Sequence, residues 1–116
     1  LSELNLEKVF RRTSSPRSRR SGAELLRDML VAAEGGAKKT HVMFKSNVNP
    51  LVLEKYLSFC EENGLIVKDK LGYTTTAKGL KLIKCLNQIS DLKRNLEEVE
   101  SEVDKLIRNP PWTAEQ

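Results

Sequence analysis

Eight apolar residues recur at alternating gaps of three and four near the end of this chain: Leu82, Cys85, Ile89, Leu92, Leu96, Val99, Val103 and Leu106. This is a heptad seam. With neither glycine nor proline between Gly79 and Asn109, residues 76–108 are predicted to form one helix, roughly 50 Å long at ~1.5 Å per residue. The rest of the chain is too small to cover a rod of that length. Leaving Ile89, Leu92, Leu96, Val99, Val103 and Leu106 in water would forfeit about 10 kcal/mol, at ~1.5–3 kcal/mol per buried side chain. A second helix is therefore required, and a second copy of the chain is the simplest supplier. The expectation is a coiled-coil homodimer with these eight residues at the dimer contact.

At 116 residues, the chain has room for one modest core plus extensions. No apolar run approaches the eighteen or so residues needed to span a bilayer, so no membrane is expected as a partner. Charges at Glu3, Glu7 and Lys8 and the lack of a long apolar stretch argue against a signal peptide. Opening on Leu1 rather than methionine is what a trimmed chain would show. Cys60 and Cys85 fall in predicted helices, and neither stands at metal-ligand spacing from His41, the only histidine. Two readings of the thiols stay open: buried and free in a reducing compartment, or an inter-chain disulfide at Cys85, which faces the partner across the seam. There is no glycine-rich phosphate loop and no nucleophile paired with His41. An enzyme, a cofactor, a metal and a small-molecule ligand are all unexpected.

The net charge of +4 is concentrated at one end. Residues 1–20 hold six basic and two acidic side chains, whereas residues 21–76 and 77–116 each hold seven of either sign. The stretch from Arg11 to Arg20 carries Arg11, Arg12, Arg17, Arg19 and Arg20 and no acid. So polar a segment cannot bury enough surface to fold alone and is expected to be a flexible cationic arm. Such arms bind nucleic acid through phosphates or a narrow minor groove; a solvated tail without a partner is the alternative. Ahead of it, Leu4, Leu6, Val9 and Phe10 could form a turn or two of amphipathic helix.

The arm ends at a helix start. Ser21 and Glu24 fit a capping box, then Leu25, Leu26, Met29, Leu30 and Ala33 recur at helical spacing until Gly35-Gly36. A second short helix is predicted over 39–45, with Val42 and either Met43 or Phe44 turned inward. After the turn Ser46-Asn47-Val48, Asn49 suits an N-cap and Pro50 the first position of a third helix. Its buried stripe is Leu53, Tyr56, Leu57 and Cys60, and Gly64 stops it. Two helices joined by a tight turn make a helix-turn-helix. Leu65-Ile66-Val67-Lys68, a turn at Asp69-Lys70-Leu71-Gly72 and Tyr73-Thr74-Thr75 then read as a hairpin, and Thr76 caps the long helix. The fold class is mainly α with a small β-hairpin, a winged helix-turn-helix followed by a long coiled-coil helix. A plain helical bundle, the alternative, would not need Thr74-Thr75-Thr76 beside Tyr73. The predicted organisation is a flexible basic arm over 1–20, a winged helix-turn-helix over 21–76, a dimerisation helix over 77–108 and a tail over 109–116.

Three stretches resemble a known family. Lys39-Thr40-His41-Val42-Met43-Phe44-Lys45-Ser46-Asn47-Val48 is similar to the second helix and turn of small archaeal winged-helix DNA-binding proteins. Tyr56-Leu57 through Gly64-Leu65-Ile66 resembles the end of their recognition helix and first wing strand. Tyr73-Thr74-Thr75-Thr76-Ala77-Lys78-Gly79 resembles their second wing strand and entry to the last helix. The resemblance covers roughly residues 17–107. It implies double-stranded DNA as the partner, a regulator or chromatin architect as the role, and a nucleoid-associated place in the cytoplasm. It also implies an antiparallel coiled coil between two subunits, as in the ten-kilodalton chromatin-associated type. The seam fits that sense. With Leu82 at position a, Lys93 and Glu100 fall at e and can meet across an antiparallel pair, whereas a parallel pair would set Asn95 at g against Glu100. Leu96 would layer with the partner's Val99, although a shift of one heptad also packs. Pro110-Pro111 ends the helix; Trp112 either folds back onto the partner or stays unattached.

In a winged helix the third helix enters the major groove and the wing touches an adjacent groove or phosphate. The positions expected to be exposed there are Asn49, Pro50, Val52, Glu54, Lys55 and Ser58. Ser46, Asn47 and Asn49 could donate to phosphates or base edges, and Lys55 could reach a guanine or a phosphate. Lys38, Lys39 and Lys45 flank the turn as phosphate contacts, with Lys68 and Lys70 on the wing; ordinary solvated surface is the alternative for each. Glu54, Glu61 and Glu62 make the third helix acidic for a groove reader. That acidity supports the competing reading, a winged-helix protein-interaction scaffold without direct DNA binding. RNA is a weaker option, because the sheet lacks exposed aromatics for base stacking.

Overall fold

In the computed structural model, which describes residues 20–113, local chemistry places each helix start. Ser21 Oγ accepts from the Glu24 N–H at 3.1 Å while Glu24 Oε1 accepts from the Ser21 N–H at 2.9 Å. This reciprocal cap opens α1 (Gly22–Ala32), which buries Ala23, Leu26, Met29, Leu30 and Ala32. The helix stops at Ala32, ahead of the Gly35-Gly36 pair, and the two glycines carry the following turn at φ +76° and +99°. α2 (Lys39–Ser46) ends on Asn47, which sits in the left-handed region at φ 55°. Val42 is its buried apolar residue and Met43 packs against the core, while Phe44 points outward at 77 % exposure. α3 (Pro50–Glu62) starts as expected, with Asn49 Oδ1 accepting from the Val52 N–H at 2.9 Å and Pro50 in the first turn.

The hairpin pairs β1 (Ile66–Asp69) with β2 (Gly72–Thr75) in antiparallel register, Ile66 opposite Thr75 and Asp69 opposite Gly72. The first strand lies one residue later than its apolar content suggests, because Asp69 closes the turn. Asp69 Oδ1 accepts from the N–H groups of Leu71 at 2.9 Å and Gly72 at 3.0 Å. The hairpin is bound to the helices by backbone pairing. Ala37 and Tyr73 exchange hydrogen bonds of 2.8 and 2.7 Å, and Thr75 Oγ1 donates to the Leu30 carbonyl at 2.6 Å. Leu53, Leu57, Cys60, Leu65, Ile66 and Tyr73 complete the core over α1.

α4 (Ala77–Leu106) begins at Thr76, whose Oγ1 accepts from the Gly79 N–H at 3.1 Å and donates to the Gly64 carbonyl at 2.6 Å. Its first turns enter the core through Gly79, Ile83 and Leu86. Gly79 is required there, since a Cβ would lie 2.4 Å from the Leu65 carbonyl oxygen and 2.6 Å from Thr75 Cγ2. The described residues divide into two compact units within this helix, one ending at Leu86 and the other beginning at Asn87. In the second unit Leu92, Leu96, Val99, Val103 and Leu106 are 65, 57, 61, 39 and 74 % exposed. Cys85 is exposed as well, whereas Cys60 is enclosed in the core. Past Leu106 the chain turns through Asn109 at φ 50° into a 3₁₀ turn over Pro111–Thr113. Among the described residues, no helix is long and apolar enough to cross a membrane.

Candidate nucleic-acid interface

The outward face of α3 follows from which residues its core stripe consumes. Leu53, Leu57 and Cys60 are buried, with Tyr56 and Phe59 partly so, which leaves Leu51, Glu54, Lys55 and Ser58 exposed at helical spacing. Sequence reasoning assigned Val52 to this face and passed over Leu51. The structure reverses the two: Val52 is half-buried and Leu51 is 82 % exposed. Two adjacent apolar residues give no local signal for which one turns outward. The docking angle of α3 on the core decides it.

The acidity of α3 is smaller at this face than its composition suggests. Lys39 Nζ, on α2, is paired with the Glu54 carboxylate. Glu61 and Glu62 occupy the last turn, about 17 Å along the helix axis from Pro50 at ~1.5 Å per residue. Lys38, Lys45 and Lys55 are exposed in α3 and in the segment preceding it, and Lys68 and Lys70 are exposed on the hairpin. Lys68 Nζ stands 5.8 Å from the centroid of the Tyr73 ring, which steers its stem along the wing. His41 is exposed on α2, in keeping with a helix-surface residue.

Besides Lys39, three residues nominated as DNA contacts are engaged within the protein. Ser46 is 1 % exposed and its hydroxyl donates to the Val42 carbonyl, so it is a packing residue. Asn49 uses its side-chain oxygen as the cap of α3, although the residue itself is exposed. Arg20 belongs to the fold rather than to a free arm. Its Nη1 donates to Asp28 Oδ2 at 2.7 Å and to the Ser46 carbonyl at 2.6 Å, and its Nη2 donates to the Asn47 carbonyl at 2.8 Å. A cation on the last carbonyls of α2 complements the negative end of that helix. Asn47 itself is exposed, its backbone held by this contact. Arg11, Arg12, Arg17 and Arg19, and the apolar residues Leu4, Leu6, Val9 and Phe10, lie outside the described residues.

No group of three or more histidine, cysteine or acidic side chains among the described residues could hold a metal ion. Burial, with Glu61 adding to it, pushes the Cys60 thiol up to about 12, so it stays protonated at neutral pH.

Comparison with known proteins agrees with this geometry. The winged helix-turn-helix family profile matches residues 19–94. A protein of Methanocaldococcus jannaschii, MJ0287, is 31 % identical over 77 residues, which cover 66 % of this chain and 79 % of that protein. Among solved structures, Sso10a-2, a DNA-binding protein from Sulfolobus solfataricus, superimposes with a TM-score of 0.69 at 25 % identity. The match covers 78 % of this chain and all of Sso10a-2.

Proposed function

The chain belongs to the winged helix-turn-helix family, and from that premise we propose that it binds double-stranded DNA as a homodimer, with α3 in the major groove and the hairpin on adjacent phosphates. The observation that carries this reading is the distribution of charge over the winged unit. Lys38 at the start of α2, Lys45 in its last turn and Lys55 on α3 are exposed, and so are Lys68 and Lys70 on the hairpin. The acidity of α3 resolves into one Lys39–Glu54 pair and a distant last turn. The DNA-binding description of Sso10a-2 supports the same partner.

The open seam of α4 supports the dimer. Five large apolar side chains left 39–74 % exposed would be covered by the same face of a second copy. In the antiparallel sense Leu96 layers with the partner's Val99 and Leu92 with the partner's Val103. Two winged units held by one coiled coil would act as a transcriptional regulator on a single duplex, or as a chromatin architectural protein that bends or bridges duplexes. Residues 1–19 would add affinity that depends on salt and not on sequence.

The exposure of Phe44 at 77 % and Leu51 at 82 % favours a second reading, a protein-interaction scaffold. One titration separates the two. Fluorescence anisotropy of a random duplex at two salt concentrations should show tight binding that weakens steeply with salt. The Lys45→Glu, Lys55→Glu variant should bind more weakly on all sequences, with a salt slope shallower by about one for each phosphate that the protein no longer neutralises. No binding at low salt would overturn the DNA reading and leave the scaffold.

A further inference from the structure

Direct readout of base edges needs side chains that can present paired donors and acceptors, and α3 has few of them. Between Pro50 and Glu62 there is no arginine, asparagine or glutamine, the residues that make bidentate contacts to guanine and adenine. Of the outward residues on the first two turns, Glu54 is already paired with Lys39. Lys55 is a point charge suited to a phosphate or a single guanine acceptor. Leu51 is 82 % exposed, the highest value among the large apolar residues described. A single exposed leucine is ordinary on a protein surface; its position is what gives this one meaning. It is the second residue of α3, immediately after the Asn49 cap and Pro50, and the N-terminal residues of a recognition helix are those that reach base edges.

One feature of the major groove is apolar: the C5 methyl group of thymine. Resting on the DNA-binding reading above, we propose that Leu51 is a specificity-determining residue that packs against thymine methyl groups and biases the protein towards sites with thymine under the start of α3. Among the described residues, the two other large apolar side chains that are more than three-quarters exposed are placed differently. Phe44 lies on α2, the helix that crosses the backbone in this motif. Leu71, 81 % exposed, lies at the hairpin turn, and the minor groove available to a wing carries no methyl group. Leu51 is therefore the residue whose removal should erase methyl discrimination.

The test uses two pools of the same random 30-base-pair duplexes, one containing thymidine and the other deoxyuridine throughout. Base pairing and the minor groove are the same in both; only the major-groove methyl groups differ. In competition, the wild-type protein should prefer the thymidine pool by about fourfold for each methyl contacted, the value of one buried carbon. Leu51→Ala should bind both pools equally, near the wild-type affinity for the deoxyuridine pool, and Leu71→Ala should keep the preference. So exposed a side chain can be truncated without harming the fold, which an unchanged thermal transition would verify. Equal wild-type binding to both pools, or a preference that survives in Leu51→Ala, overturns the assignment to Leu51 and leaves DNA binding standing. Failure of the wild-type protein to bind either pool at low salt overturns the DNA-binding reading and the inference with it.

Discussion

The two units of this chain treat their apolar residues in opposite ways. In the first, Met29, Leu30, Val42 and Cys60 have no exposed surface at all, and the hairpin is pinned to α1 through Thr75 and to the α1–α2 loop through Ala37. In the second, the apolar stripe from Leu92 to Leu106 is 39–74 % exposed along the same α4 whose first turns enter the core. One sequence thus contains a region that encloses its apolar residues in a single copy and a region that leaves them open. An isolated helix gains most of its stability from packing of an apolar face, so the second unit should depend on a partner that the first does not need.

The strongest way to break that contrast is to charge the seam. If the wild-type chain forms the proposed dimer, sedimentation velocity at micromolar concentration should find a monomer in a Leu96→Glu, Val99→Glu variant. The loss corresponds to about 5 kcal/mol or more of apolar burial over two chains. Helical ellipticity should fall while the cooperative melting of the winged unit persists. A variant that still sediments with the wild-type protein would mean that the seam is not what joins the copies.

Two smaller perturbations act on the winged unit alone. Gly79→Ala would normally gain about 1 kcal/mol of helix propensity. Here the new Cβ meets the Leu65 carbonyl oxygen at 2.4 Å, a backbone atom that cannot swing aside. Overpacking of this kind costs about 1–3 kcal/mol, so net destabilisation is expected in urea unfolding. Arg20→Ala removes hydrogen bonds to Asp28 and to two carbonyls of the α2 terminus. Charged hydrogen bonds are worth ~1.5–3 kcal/mol when buried. With the Arg20 side chain 33 % exposed, solvent screening reduces this to about 1 kcal/mol. The same urea experiment measures it.

These particulars also mark what a reader of the sequence alone can and cannot obtain. Ser21 with Glu24, Asn49 with Pro50, and Thr76 all act on backbone groups within three residues, so the helix starts are legible. The turn to the hairpin is legible for the same reason, through Asp69 and the two N–H groups it accepts. Contacts that cross the fold are not. Arg20 looks like one more arginine of a basic run until the Ser46 and Asn47 carbonyls, 26 and 27 residues away, are brought to it. Lys39 and Glu54 lie 15 residues apart, and only the fold, by bringing the two side chains together, turns an acid of α3 into one member of a closed pair. The choice between Leu51 and Val52 is of the same kind, and the candidate interface depends on it most.

The smallest expected effect sharpens the contrast between enclosed and open apolar surface with no mutation at all, because one cysteine lies in the core and the other on the open face of α4. Cys60 is buried in the core with its thiol pushed up to about 12, whereas Cys85 is exposed on the seam face of α4. The thiolate is the reacting species. At pH 8 a disulfide reagent should therefore consume one thiol per chain in the native protein and two after unfolding. If the seam closes over Cys85 in the dimer, its rate should fall as protein concentration rises, while Cys60 stays silent throughout. The sign of the pH effect follows from the raised value. The unfolded chain ionises Cys60 from about 9.0, and the folded chain holds it protonated to about 12. Its contribution to stability is thus complete below pH 9 and is lost progressively as the pH rises towards 12. Two rapidly reacting thiols in the native protein at pH 8 would mean that the core of the winged unit opens readily, and the division between a closed region and an unfinished one would not hold.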